Sequence, residues 1–181
     1  MKPVEFQTTW GPIKLMLAGE SVTGCSLPFL KTTPHKPFKA ETSNAWKNAD
    51  EFFQWLESNY VAAQINQLRG TEFQKAVWNE MKKIPRGQTR TYGQIAKAVG
   101  RPKAVRAVGS ACGANPIPLF IPCHRVTAKN SLGGFGAGLP WKKLLLEMER
   151  WRDGGMEQRS TGVMNQDQHS NTPRARLRTG L

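Results

Sequence analysis

Apolar and polar residues alternate through the first thirty positions, and the period then becomes helical. Val4 and Phe6 precede the turn signal Trp10-Gly11-Pro12, after which Ile13, Leu15 and Leu17 alternate with Lys14, Met16 and Ala18. A period of two on both sides of a turn predicts an antiparallel hairpin, with Val22 to Phe29 as a third strand. Lys31 to Pro37 carries two prolines and reads as a loop. From about Ser43 to Ser58, the residues Trp46, Phe52, Phe53, Trp55 and Leu56 gather on or near one side, which predicts a helix. Nothing in this half points to chemistry.

A second unit begins near Thr71. Thr71 and Gln74 have the spacing of a capping box, and Phe73, Val77, Met81 and Ile84 follow at helical spacing until Pro85-Arg86-Gly87 ends the run. Thr91 is placed to cap a second helix, Tyr92 to Val99, stopped by Gly100. Pro102 suits the first turn of a third helix ending near Gly113. Two short helices around a glycine turn form a helix-turn-helix candidate, although most helical hairpins bind nothing. The third helix is built almost entirely of small residues, with Arg106 the long exception. On composition alone, tight internal packing explains that surface as well as a nucleic-acid groove does. A final helix starts near Pro140. Beyond about Arg152 the chain is polar and rich in glycine, a composition that predicts a disordered basic tail.

Composition narrows the classes. The 181 residues are 39% hydrophobic, with no continuous apolar run near the length of a membrane-spanning helix and no evident signal peptide. The three cysteines, Cys25, Cys112 and Cys123, are odd in number and lack CxxC spacing, which argues against a disulfide framework or structural zinc. A reduced, intracellular setting is the expectation. Twenty-six basic residues against 13 acidic ones give a net charge of +13. Such an excess suits a polyanionic partner, since neutralising phosphates releases counterions.

The most informative stretch runs from Asn115 to Val126. Pro116, Pro118 and Pro122 deny it regular ladder donors, while Ile117, Leu119, Phe120 and Ile121 are apolar. A rigid, buried segment would hold Cys123 in a fixed place. A lone cysteine is usually an inert small hydrophobe. Here His124 and Arg125 follow at once, and such neighbours favour a thiolate. On an extended backbone Cys123 and His124 would face opposite ways, so proton transfer between them needs a bridging water or a tight turn. A carboxylate should orient the imidazole; Glu147 and Glu149 on the final helix are the candidates.

Ile121-Pro122-Cys123-His124-Arg125-Val126 closely resembles the active-site signature of O6-alkylguanine-DNA alkyltransferases. The resemblance takes in Thr91 to Ala96, Ala104 to Gly109, Asn115-Pro116, Gly133 to Leu139 and the helix of Lys142 to Glu149, in unbroken order from Thr71 to about Glu149. The N-terminal half matches only in size and strand-rich character. The resemblance implies that Cys123 takes an alkyl group from O6-alkylguanine, and also from O4-alkylthymine, irreversibly and once. It implies that His124 draws off the thiol proton through a water, that Glu149 holds the imidazole, and that Tyr92 contacts phosphate and donates to a guanine ring nitrogen. Arg106 would fill the stack left by a flipped nucleotide, and Asn115 would be a hinge. Ala104, Ala107, Gly109, Ser110 and Arg125 would face DNA through the minor groove, which accounts for the small residues of the third helix. Val126, Phe135, Gly136 and Cys112 would line the base pocket. Gly136 departs from the serine found there in many relatives, removing one hydrogen bond and widening the pocket. Some members bind zinc through N-terminal cysteines and histidines; with only Cys25 and His35 present, no metal is expected, and no organic cofactor.

The expectation is an α+β chain. Residues 1–68 form a small antiparallel sheet with a helix, ribonuclease H-like; residues 69–151 form a mainly helical, winged helix-turn-helix unit carrying the alkyltransferase site; residues 152–181 are the tail. The partner is double-stranded DNA, with no membrane, and the protein is expected to be monomeric and cytoplasmic or nucleoid-associated. Three rivals fare worse. A non-repairing alkylguanine sensor would carry another residue at Cys123. A transcription regulator would need more base-reading side chains than the third helix offers. A thiol hydrolase leaves Tyr92 and Arg106 unexplained.

Overall fold

The computed structural model describes residues 1–8, 10–33 and 49–150. Part of the predicted loop, His35, the start of the first predicted helix with Trp46, and the tail from residue 152 lie outside the described residues.

The alternating pattern produces the hairpin. Strands β1 (Lys2–Thr8) and β2 (Gly11–Ala18) pair antiparallel with Val4 opposite Leu15 and Phe6 opposite Ile13. Ile13 and Leu15 are fully buried while Lys14 between them is exposed, as a pleat with one wet face requires. Strand β3 (Ser21–Ser26) pairs antiparallel with β2, with a shift of register between Met16 and Leu17. It stops three residues short of the predicted Phe29, because Pro28 has no N–H for a ladder; Phe29 is exposed. Helix α1 (Ala49–Asn59) buries Leu56 and half-buries Trp55. It leads to the two-residue strand β4 (Val61–Ala62), which lies parallel to β3 and completes the order β1-β2-β3-β4. A strand that short has no readable period.

The predicted capping box forms, and the cap at Thr91 proves to be a second one. Helix α2 (Glu72–Lys82) starts with Thr71 Oγ1 accepting from the Gln74 N–H at 3.2 Å while Gln74 Oε1 accepts from the Thr71 N–H at 2.8 Å. Thr91 and Gln94 repeat the arrangement at helix α3 (Tyr92–Ala98). Such caps satisfy donors that a helix start would otherwise leave bare. Helix α4 (Val105–Gly113) begins later than predicted. Pro102 and Lys103 belong to the connecting turn, where Gly100 takes φ +72° and the Ala104 N–H bonds Arg101 O at 2.9 Å. Strands β5 (Arg90–Thr91) and β6 (Val126–Thr127) pair parallel, and α5 (Leu139–Arg150) follows.

One apolar core runs through all of this, from Ile13 and Val22 through Trp78 and Ile95 to Ile121 and Leu145. Two of its indole nitrogens find backbone partners. Trp78 Nε1 donates to Ala111 O at 2.9 Å, fixing α2 against α4, and Trp141 Nε1 donates to Pro28 O at 2.6 Å. Trp10 meets Trp141 edge-on at 5.5 Å. The architecture is α+β, and no helix among the described residues is long and apolar enough to cross a membrane.

Candidate active site and nucleic-acid interface

Asn115 folds the proline-rich segment. Its Nδ2 donates to Ile121 O at 2.7 Å and its Oδ1 accepts from the Ile117 N–H at 3.1 Å. The N–H groups of Phe120 and Ile121 both reach Ile117 O at 2.9 Å. With Ile117 and Ile121 buried, the segment is pinned at both ends of its path. The chain then enters a single 3₁₀ turn, Cys123–Arg125, the tight turn that is one of the two arrangements open to it. Pro122 lacks a donor, and the Arg125 N–H closes on Pro122 O at 3.0 Å. Three residues per turn set neighbouring side chains about 120° apart, so Cys123 and His124 are no longer on opposite faces.

Electrostatics correct the expectation of a thiolate. Cys123 is 6% exposed. Burial pushes its thiol up to about 11, against the lowering influence of an Asn115 hydrogen bond and the Lys142 charge. The neighbours therefore do not keep the sulfur ionised at rest, because neither supplies a free positive charge. His124 is fully buried, and burial lowers its pKa despite Glu149, so the ring is neutral. Arg125 is already neutralised. Its Nε and Nη2 clasp Glu149 at 2.7–3.1 Å, and Nη1 donates to Ile84 O at 2.6 Å. Arg125, expected to face DNA, is engaged here by Glu149 and Ile84 O. A carboxylate with 1% of its side chain exposed needs a cation beside it, and Arg125, itself only 11% exposed, is that cation.

Glu149 is the carboxylate that holds the histidine; Glu147 is exposed. Glu149 Oε1 lies 2.7 Å from His124 Nε2, and Oε2 accepts from the Gly87 N–H at 3.2 Å. Burial pushes the Glu149 carboxyl up, but the hydrogen bonds from His124 and Arg125 prevail and hold it near 2. An ionised Glu149 takes the Nε2 proton as an acceptor, which leaves the lone pair on Nδ1. That buried atom has no protein partner among the described residues.

Cys123 opens on a cavity of about 300 Å³. Cys112 and Gly113 at the end of α4 form one wall, Phe135 and Gly136 of the glycine-rich loop another, and Cys25, Ser26 and Leu27 a third. Cys112, Phe135 and Gly136 thus stand at the predicted pocket, with Cys112 Sγ also 3.5 Å from Met81 Sδ. Phe135 meets the His124 ring edge-on at 6.5 Å. Val126 does not join them: it is fully buried in β6, where its alternating side chain points into the core.

Tyr92, the first residue of α3, is half-buried, and its hydroxyl donates to Gly134 O at 3.5 Å. Burial raises its pKa, which keeps the hydroxyl protonated and able to donate. The tyrosine ring lies so close to Gly133 (φ +69°) that a Cβ there would sit 2.7 Å from it. Across from it, α4 presents an outer face of small residues. Arg106, Ala107 and Ser110 are exposed, Ala104 and Gly109 partly so, and Gly109 lies against Tyr92. The helix end that walls the cavity is thus continuous with this exposed face.

Sequence reasoning missed two groups. Lys142 is fully buried, with Nζ donating to Val126 O at 2.6 Å and Gly134 O at 3.0 Å. It shares a helical face with Leu145 and Glu149, a spacing that could have revealed it. The Cys25–Leu27 wall carried no such signal, because only tertiary structure brings it to the cavity. Among the described residues no group of three or more His, Cys, Asp or Glu is placed to hold a metal ion.

A family profile described as "6-O-methylguanine DNA methyltransferase, DNA binding domain" matches residues 72–151. A probable methylated-DNA–protein-cysteine methyltransferase of Acanthamoeba polyphaga mimivirus is 40% identical over 150 residues, covering 83% of this chain and 97% of its own length. The methylated-DNA–protein-cysteine methyltransferase of Methanosarcina acetivorans is 42% identical, covering 80% of this chain and 95% of its own. Among solved structures, Mycobacterium tuberculosis OGT in complex with DNA aligns with a TM-score of 0.61 and 34% identity, over 81% of this chain and 92% of that one.

Proposed function

The chain belongs to the methylated-DNA–protein-cysteine methyltransferase family, and on that premise we propose that it repairs O6-alkylguanine in DNA by moving the alkyl group to Cys123 Sγ. The observation that carries this reading is the placement of Cys123. It stands in a cavity shared with the end of α4, next to a His124–Glu149 pair whose remaining ring nitrogen is unengaged.

The steps rest on this arrangement together with the family resemblance. His124 Nδ1 takes the thiol proton through a bridging water, and Glu149 stabilises the imidazolium that results. The sulfur attacks the alkyl carbon in line; the S–C bond forms as the C–O6 bond breaks, and the electron pair passes to the purine. Tyr92 donates its hydroxyl to a ring nitrogen and stabilises the departing guanine anion. The thioether product does not hydrolyse, so each molecule acts once. A thiol held protonated until the base arrives suits such a protein, since a standing thiolate would react with other alkylating agents.

DNA is bound through the exposed face of α4, entering the minor groove. Ala104, Ala107, Gly109 and Ser110 allow close approach, and Arg106 occupies the stack vacated by the flipped nucleotide. Asn115 is the fixed link between α4 and Cys123 rather than a loose hinge, given its two hydrogen bonds to the segment. The β5–β6 pair beside α3 and α4 supports a winged helix-turn-helix reading of residues 69–151, and the β1-β2-β3 meander followed by α1 a ribonuclease H-like reading of residues 1–68.

Single-turnover kinetics test the proposal. One lesion should disappear per protein molecule, with no further loss on adding fresh duplex. Continued turnover at low protein would overturn the transfer mechanism.

A further inference from the structure

Residues 25–27 are a built part of the cavity although they come from the sheet, nearly a hundred residues before Cys123. Strand β3 has β2 on one side. On its other side β4 covers only Ser21 and Val22, and the edge beyond is taken by the active-site segment, whose Pro116 O accepts from the Cys25 N–H at 2.8 Å. Burial at this junction pushes the Cys25 thiol up to about 12. Two residues past Ser26, Pro28 O is held by Trp141 of α5. The wall is therefore clamped at both ends to elements that carry Cys123 and Glu149, and it cannot swing away when a ligand enters.

The opposite walls give different freedom. At Gly113 and Gly136 the opposite walls are open, since a Cβ at Gly136 would still be 3.9 Å from Gly113 O, and the side chains on those walls are Cys112 and Phe135. A limit on size is set where side chains stand on fixed backbone, and the Cys25–Leu27 wall is held at both ends by the Pro116 and Trp141 contacts. We propose that Cys25 and Leu27 set the upper size of the O6-substituent that Cys123 accepts, making the N-terminal sheet a specificity element of the reaction. This rests on the repair reading above. Packed walls of this kind resist added volume, so one or two extra carbons change the fit of a bulky group far more than that of a methyl.

The test compares duplexes carrying O6-benzylguanine and O6-methylguanine, read as the ratio of their transfer rates in the full chain. Cys25→Leu, which adds volume, should lower the benzyl-to-methyl ratio about tenfold or more. Leu27→Ala, which removes volume, should raise it several-fold. Ratios unchanged from wild type in both variants, or benzyl and methyl transfer lost in equal proportion, would overturn the gate and point to a structural clamp only. The two levels are separable: absence of methyl transfer to Cys123 in the wild type defeats the repair reading itself, whereas a normal wild type with indifferent variants defeats only the gate.

Discussion

At the residue scale, a thiol raised to about 11 by burial makes a prediction opposite to that of a standing thiolate. The iodoacetamide reactivity of Cys123 in the free protein should climb about tenfold per pH unit between pH 7 and 9, since only the thiolate reacts; a plateau in that range would mean an ionised resting sulfur. Cys25 and Cys112, both pushed up to about 12 by burial, have no base beside them and should stay unalkylated by the lesion. Glu149→Gln keeps the shape but removes the charge that His124 and Arg125 share. It should slow transfer by about 100-fold, the usual scale for lost general-base assistance, and lower stability by about 3 kcal/mol by stranding Arg125; stopped-flow transfer and urea midpoints measure the two.

At the element scale, what the sequence made readable and what it hid divide by physical cause. Thr71 and Thr91 announced α2 and α3 because a cap is a local device, and Thr91→Ala should cost about 1 kcal/mol on thermal unfolding. The hairpin was readable because Ile13 and Leu15 are buried on one face. Two-residue strands such as β4, β5 and β6 have no period to read. The capture of Arg125 by Glu149 is a tertiary choice, decided by the arrival of α5, whereas the burial of Lys142 could be read from its spacing to Leu145 and Glu149. Arg125 shows the limit most clearly: next to the nucleophile in the chain, it faces inward because Glu149 arrives from α5. Gly133 supports α3 from the same side. Gly133→Ala would force Tyr92 aside, so transfer should slow by about tenfold or more while duplex affinity changes little; equal affinity loss would place Tyr92 in binding alone. Arg106→Ala should slow repair in duplex more than reaction with free O6-benzylguanine.

At the scale of the whole molecule, one core joins the sheet to the site, so pH acts on folding and chemistry together. Glu149, held near 2 against an ordinary 4.5, contributes stability that is complete above pH 4.5 and lost as pH falls toward 2. His124, whose pKa is also depressed, adds a loss in the same direction once pH falls below 6.5. Cys123, raised from 9.0, contributes stability below pH 9 that is lost toward 11. Urea midpoints should trace a dome across these limits, with the acid side flattened in Glu149→Gln. The net charge of +13 predicts duplex binding that weakens steeply with salt. The central claim, that Cys123 is the acceptor, is tested most directly by peptide mass spectrometry after incubation with an O6-methylguanine duplex. The account predicts one added methylene unit on the peptide containing Cys123 and none on those containing Cys25 or Cys112; an unmodified Cys123 with the lesion intact, or the added mass on another cysteine, would contradict it.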